Sequence, residues 1–180
     1  TTVSVPCLQK WFPLEFAKMV QDENYNDYVP VENTRDLNNL VLLLATETHK
    51  TEIVKKLVTE KLVDQYYIDT ALLSAVSVNN YSAMEFLVEN GANVRHMGDS
   101  AIWIAVMNNN HPMTIYLSEK GAKLKNDVIT TYNFKKNISP DLFEYLFKKN
   151  GLNIDDFDNK IIEDYLCRKN NYFLMKTVID

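Results

Sequence analysis

Apolar residues in this chain fall in short clusters with the spacing of one helix face, and the clusters recur. In DSAIWIAVMNNNHPMTIYLSEKG, residues 99–121, Ala101, Ile102 and Ala105 stand at i, i+1 and i+4. That spacing puts them on one side of a helix, with small residues where a neighbouring helix can come close. Asn108, Asn109 and Asn110 interrupt the pattern, because asparagine competes with the helix for backbone hydrogen bonds. A second helix is predicted to begin near Pro112, whose missing N–H is harmless in a first turn. Its apolar face carries Met113, Tyr116 and Leu117, and Gly121 ends it. No stretch sustains strict apolar–polar alternation, so the pattern predicts an all-α chain.

The helix pair is one copy of a repeat. LVENGANVRH, YLSEKGAKLKN and FKKNGLNIDD place Gly91, Gly121 and Gly151 at intervals of 30 residues, and the chain has only 4 glycines. A glycine at a fixed period marks a repeated backbone requirement, most simply a left-handed residue just past a helix end. The columns agree. Small residues recur at Ala71, Ala101 and Thr131, and at Ala45, Ala75 and Ala105. Large apolar ones recur at Leu42, Leu72, Ile102, Tyr132 and Ile162, and at Leu57, Leu87, Leu117 and Phe147. A period of this size predicts a helical-repeat solenoid. The register covers residues 37–180 as about five units, 37–66, 67–96, 97–126, 127–156 and 157–180. Residues 1–36 stand outside it; WFPLEFAKMV, residues 11–20, reads as a short amphipathic helix that caps the array or docks a partner.

These phrases resemble ankyrin repeats. HKTEIVKKLV, residues 49–58, is similar to the GH-x-E-I-V stretch of the family's second helix. DTALLSAV and DSAIWIAV resemble its TPLHLAA helix, and ENGANV resembles the GADVN that opens its projecting finger. The usual unit is about 33 residues, so the missing residues shorten the finger to a tight loop. Thirty-residue units with a D-x-A-I start look most like the ankyrin families of large DNA viruses and phages. The resemblance implies an ankyrin-like all-α solenoid and a binding scaffold whose partner differs from protein to protein.

Composition narrows the function. A net charge of −5 argues against an electrostatic grip on nucleic acid or on an anionic membrane. The longest apolar run, LVLLLA, is too short to span a bilayer, and TTVSVPCLQKWF lacks the pattern of a signal peptide. With only Cys7 and Cys167, no disulfide framework is expected and a cytoplasmic setting is the simplest one. His49, His96 and His111 are far apart and lack metal-ligand spacing. Asp155, Asp156 and Asp158 raise calcium, but an EF-hand loop counted from Asp155 would need glycine at Lys160 and glutamate at Leu166. No phosphate loop or nucleophile–base motif is present. No enzyme, metal site or cofactor is expected.

What remains is surface. The loops after each period glycine and the exposed side of each first helix are expected to line one face. Those positions hold Tyr66 and Tyr67, then Arg95, His96 and Met97, then Lys123, Lys125 and Asn126, then Asp155, Asp156 and Phe157. Trp103 stands in the first-helix column with Leu73 and Asn133, either on that face or packed into the seam between repeats. Tyr, Trp, Met and Arg dominate interface energetics. The leading expectation is a non-catalytic protein-binding module, a viral or phage factor that inhibits or redirects a host protein. The alternatives are an acidic nucleic-acid mimic acting through Asp155, Asp156 and Asp158, and an enzyme or metal protein of unfamiliar type.

Overall fold

Helices alternate long and short along the chain, in the 30-residue register of the glycines. The computed structural model describes residues 35–124 and 139–150. Over these run α1 (Arg35–Glu47), α2 (Thr51–Thr59), α3 (Gln65–Ser77), α4 (Tyr81–Glu89), α5 (His96–Met107), α6 (His111–Glu119) and α7 (Pro140–Asn150). No strand occurs among the described residues. The fold is an all-α helical repeat. Its chain divides into two compact units at Asn93 and Val94.

In the first unit α1 packs on α2 and on α3, α3 packs on α4, and α2 on α4. Two helix hairpins therefore lie side by side, long helix on long and short on short. The columns read from the sequence form the core: Leu42, Ala45, Leu57, Ala71, Leu72, Ala75 and Leu87 are fully buried. Ala45 and Ala75 are the small residues that let the long helices approach. In the second unit α5 packs on α6, and Ala101, Ala105, Met113 and Leu117 are fully buried with Ile102 almost so. In α7, Leu142, Phe143, Leu146 and Phe147 are buried at i, i+1, i+4 and i+5.

Every turn in the repeat solves the same problem, the unsatisfied carbonyls at a helix C-terminus. After α4 the Gly91 N–H bonds to the Val88 carbonyl (3.2 Å) and the Ala92 N–H to the Leu87 carbonyl (2.9 Å). This pair of bonds is a Schellman motif, which needs a left-handed residue at its centre. Gly91 and Gly121 supply it with φ of 92° and 98°. Lys61 takes the same position at φ 57°. The turns between long and short helices repeat the motif around His49, Asn79 and Asn109, at φ 60°, 58° and 53°. Asparagine tolerates this region better than most residues.

The next residue starts the short helix. Asn80 accepts the Ala83 N–H (3.2 Å) and Asn110 accepts the Met113 N–H (3.1 Å), each as an N-cap. Asn80 also donates to the Thr46 carbonyl at 3.1 Å, fastening the end of α1 to the start of α4. Lys50 holds the equivalent position before α2 and makes no side-chain cap bond.

Candidate binding surface

Short loops join each repeat to the next long helix, and a carboxylate or amide near the start of the repeat's own long helix holds each one. Asn39 in α1 is almost fully buried. It accepts the Asp64 N–H (2.9 Å) and donates to the Asp64 carboxylate (2.7 Å). Arg35 adds a bond to the same carboxylate at 3.0 Å and one to the Lys61 carbonyl at 3.3 Å. The Asn39 amide, and then the Arg35 guanidinium, hold the Asp64 carboxyl below the ordinary carboxylate value. One repeat on, Asp69 accepts the Asn93 N–H (2.8 Å) and the Gln65 amide (2.8 Å). In the second unit Asp99 accepts the Lys123 N–H at 3.0 Å and pairs with Arg95 at 3.2 Å.

Tyr66 and Tyr67, expected on a loop, instead lie in the first turn of α3. The cause is the tightness of the loop: Asn39 holds Asp64 extended, at φ −86° and ψ 148°, directly before the helix. Tyr66 is 55% exposed and Tyr67 half-buried, and their rings meet edge-on at 5.5 Å.

Arg95 is the exposed N-cap residue of α5, and His96, half-buried, is the helix's first residue. Met97 does not sit in a plain loop. Met97, Gly98 and Asp99 have φ of 51°, 71° and 66°, a left-handed turn inside the helix span. For a residue with a Cβ this conformation costs about 1–2 kcal/mol, so surrounding bonds must hold it. Met97 is 58% exposed, more than any other large apolar side chain among the described residues. Trp103 is half-buried, as is Leu73 in the same column of the other unit. Lys123 is exposed. Beside it a cavity of about 410 Å³ is lined by apolar Ile102, Ala122, Leu124 and Leu146, and by Lys123 and Lys149. Lys125, Asp155, Asp156 and Phe157 lie outside the described residues, as do Cys7, Cys167 and residues 1–34.

The structure thus brings Arg95 and Lys123 to one carboxylate, that of Asp99, and pairs Tyr66 with Tyr67. Sequence reasoning missed the anchors Asn39, Asp69 and Asp99. Their signal was their own spacing of 30 residues, with Asp69 and Asp99 each standing 24 residues before the N–H it accepts. Two of the three histidines belong to the framework: His49 occupies a left-handed turn, and His111 opens α6 with its ring 5.7 Å from that of Tyr145. Among the described residues no group of three or more His, Cys, Asp or Glu side chains could hold a metal ion. None of their helices is long and apolar enough to cross a membrane.

Paired helices in a fixed register, carrying a variable surface at the start of each long helix, define a helical-repeat binding scaffold. The family model described as ankyrin repeats (3 copies) matches residues 42–128, so that stretch carries ankyrin repeats. Ankyrin repeats are protein–protein interaction modules, so the chain is one of these at the level of class. No curated protein and no solved structure matches it.

Proposed function

We propose that this chain works by binding a protein partner without a chemical step. In the unit after Asn93, the contact surface is the corner formed by Arg95, His96 and Met97, continued by Trp103 and Lys123. In the unit before it, Tyr66 and Tyr67 present the corresponding surface. One observation carries the reading. Among the described residues the exposed large apolar side chains are Tyr66, Tyr81 and Met97, and two of these three stand in the first turn of a long helix. The buried columns are dictated by packing, whereas an exposed tyrosine or methionine at that turn is not. Such side chains favour association unless a partner covers them.

The test is replacement of Arg95, His96 and Met97 together by alanine, followed by capture of partners from cell lysate and a thermal melt. The Arg95 side chain is 58% exposed, and the buried Asp99 carboxylate keeps its bond from the Lys123 N–H when the arginine is lost, so the cost in stability is modest. The melt should stay close to wild type. Loss of one anchoring side chain typically costs about 2 kcal/mol, or roughly thirtyfold in affinity, so captured partners should fall by at least that factor. Normal capture by this variant, with loss of capture in Glu85→Ala with Glu89→Ala on α4, would place the contact on the short helices instead.

A further inference from the structure

The left-handed turn at the start of α5 has a counterpart of the opposite hand in the same chain. Met97, Gly98 and Asp99 occupy the register of Tyr67, Ile68 and Asp69, which lie within α3 and have no positive φ. The bonds that frame the two segments are nevertheless alike. Gln65 donates to Asp69 at 2.8 Å, and Arg95 donates to Asp99 at 3.2 Å. Asp69 accepts the backbone N–H of Asn93 at 2.8 Å, and Asp99 accepts that of Lys123 at 3.0 Å. The Asp99 N–H bonds to the Arg95 carbonyl at 3.2 Å, the i to i−4 bond of an ordinary helix. One set of anchors therefore frames a connecting turn of either hand.

We propose that Met97–Gly98–Asp99 is a two-state turn whose hand inverts between these fixed anchors, switching the exposure of Met97. In the left-handed state Met97 stands 58% exposed. In the right-handed state it takes the place that Tyr67 holds in α3, where the side chain is half-buried. Gly98 is the pivot, because glycine populates both hands with similar ease. A Cβ added at Gly98 would meet nothing within 4 Å, so the residue's conformation alone calls for glycine there. Local preference favours the right-handed turn for Met97 and Asp99. A ligand that grips exposed Met97 selects the left-handed state, and its binding is coupled to the handedness of the turn. The switch belongs to the backbone and stands whether or not the Arg95–Met97 corner is the partner site.

The experiment is Gly98→Ala in the full chain, read by thermal melting and by amide three-bond couplings and residual dipolar couplings of residues 96–100. With no steric clash to answer for, the substitution acts within the folded state only by penalising positive φ. The expected result is a folded variant, melting at or above the wild-type temperature, whose residues 97–99 show right-handed values. A variant that keeps left-handed values, or loses thermal stability while keeping them, overturns the proposal and makes the turn a rigid corner. Should Gly98→Ala not fold, relaxation dispersion of the wild-type amides decides. Exchange confined to residues 96–100 supports two states, and flat profiles overturn them.

Discussion

Lys61 holds φ 57° at a position where its counterparts Gly91 and Gly121 hold 92° and 98°. A left-handed residue with a Cβ is disfavoured, and a β-branched one most of all. Gly121→Val should therefore lower stability by about 1 kcal/mol or more in urea titration, although a Cβ there would meet nothing within 4 Å. Lys61→Gly should move the other way, by up to about 1 kcal/mol, with glycine's freedom in the unfolded chain offsetting part of the gain. A second single-residue effect concerns Asp64. Its carboxyl is held below the ordinary value by Asn39 and Arg35, so its contribution is complete above the unfolded-state value and is lost as pH falls through the folded one. Acid titration of thermal stability should show a fall in that range that becomes shallower in Asn39→Ala. An unchanged acid limb would remove Asp64 from the account.

Helices differ in how well their ends are closed. α4 and α6 start on asparagines whose side chains cap them, at φ −83° and ψ 81° for Asn80 and φ −90° and ψ 88° for Asn110. Lys50 already holds a similar backbone, φ −86° and ψ 64°, but its side chain makes no cap bond. Lys50→Asn should add the missing bond and raise stability by about 1 kcal/mol, while Asn110→Ala should lose a similar amount. Chemical denaturation of the two variants with an unchanged denaturant slope checks both; equal stability of all three proteins would show that caps do not limit these helices.

Across the molecule, the helical framework was legible because it is periodic. Gly91 and Gly121 sit at helix ends with positive φ, and among the described residues the columns Leu42–Leu72–Ile102, Leu57–Leu87–Leu117–Phe147 and Ala45–Ala75–Ala105 are buried, as their spacing required. The surface was legible only in part. Tyr66 and Tyr67 read as loop residues, because no propensity rule shows that Asn39, 25 residues upstream of Asp64, brings the chain straight into α3. The left-handed turn at Met97 was hidden for the opposite reason. Methionine and aspartate do not ordinarily favour that region, and only Gly98 between them hinted at it.

The loop anchors have a genetic consequence. Asp69 reaches Asn93 and Asp99 reaches Lys123, so each fastening closes within 24 residues of chain. A duplicated 30-residue segment of the gene would carry its own loop tie, its own short-helix cap and its own left-handed helix ends. The new copy would need no compensating changes elsewhere for its loop to close. Array length can thus drift by whole units through copying errors while each copy's surface residues diverge independently. A lineage built this way would keep its buried columns and anchor carboxylates in step, and would scatter in sequence at the positions of Tyr66, Tyr67 and Met97.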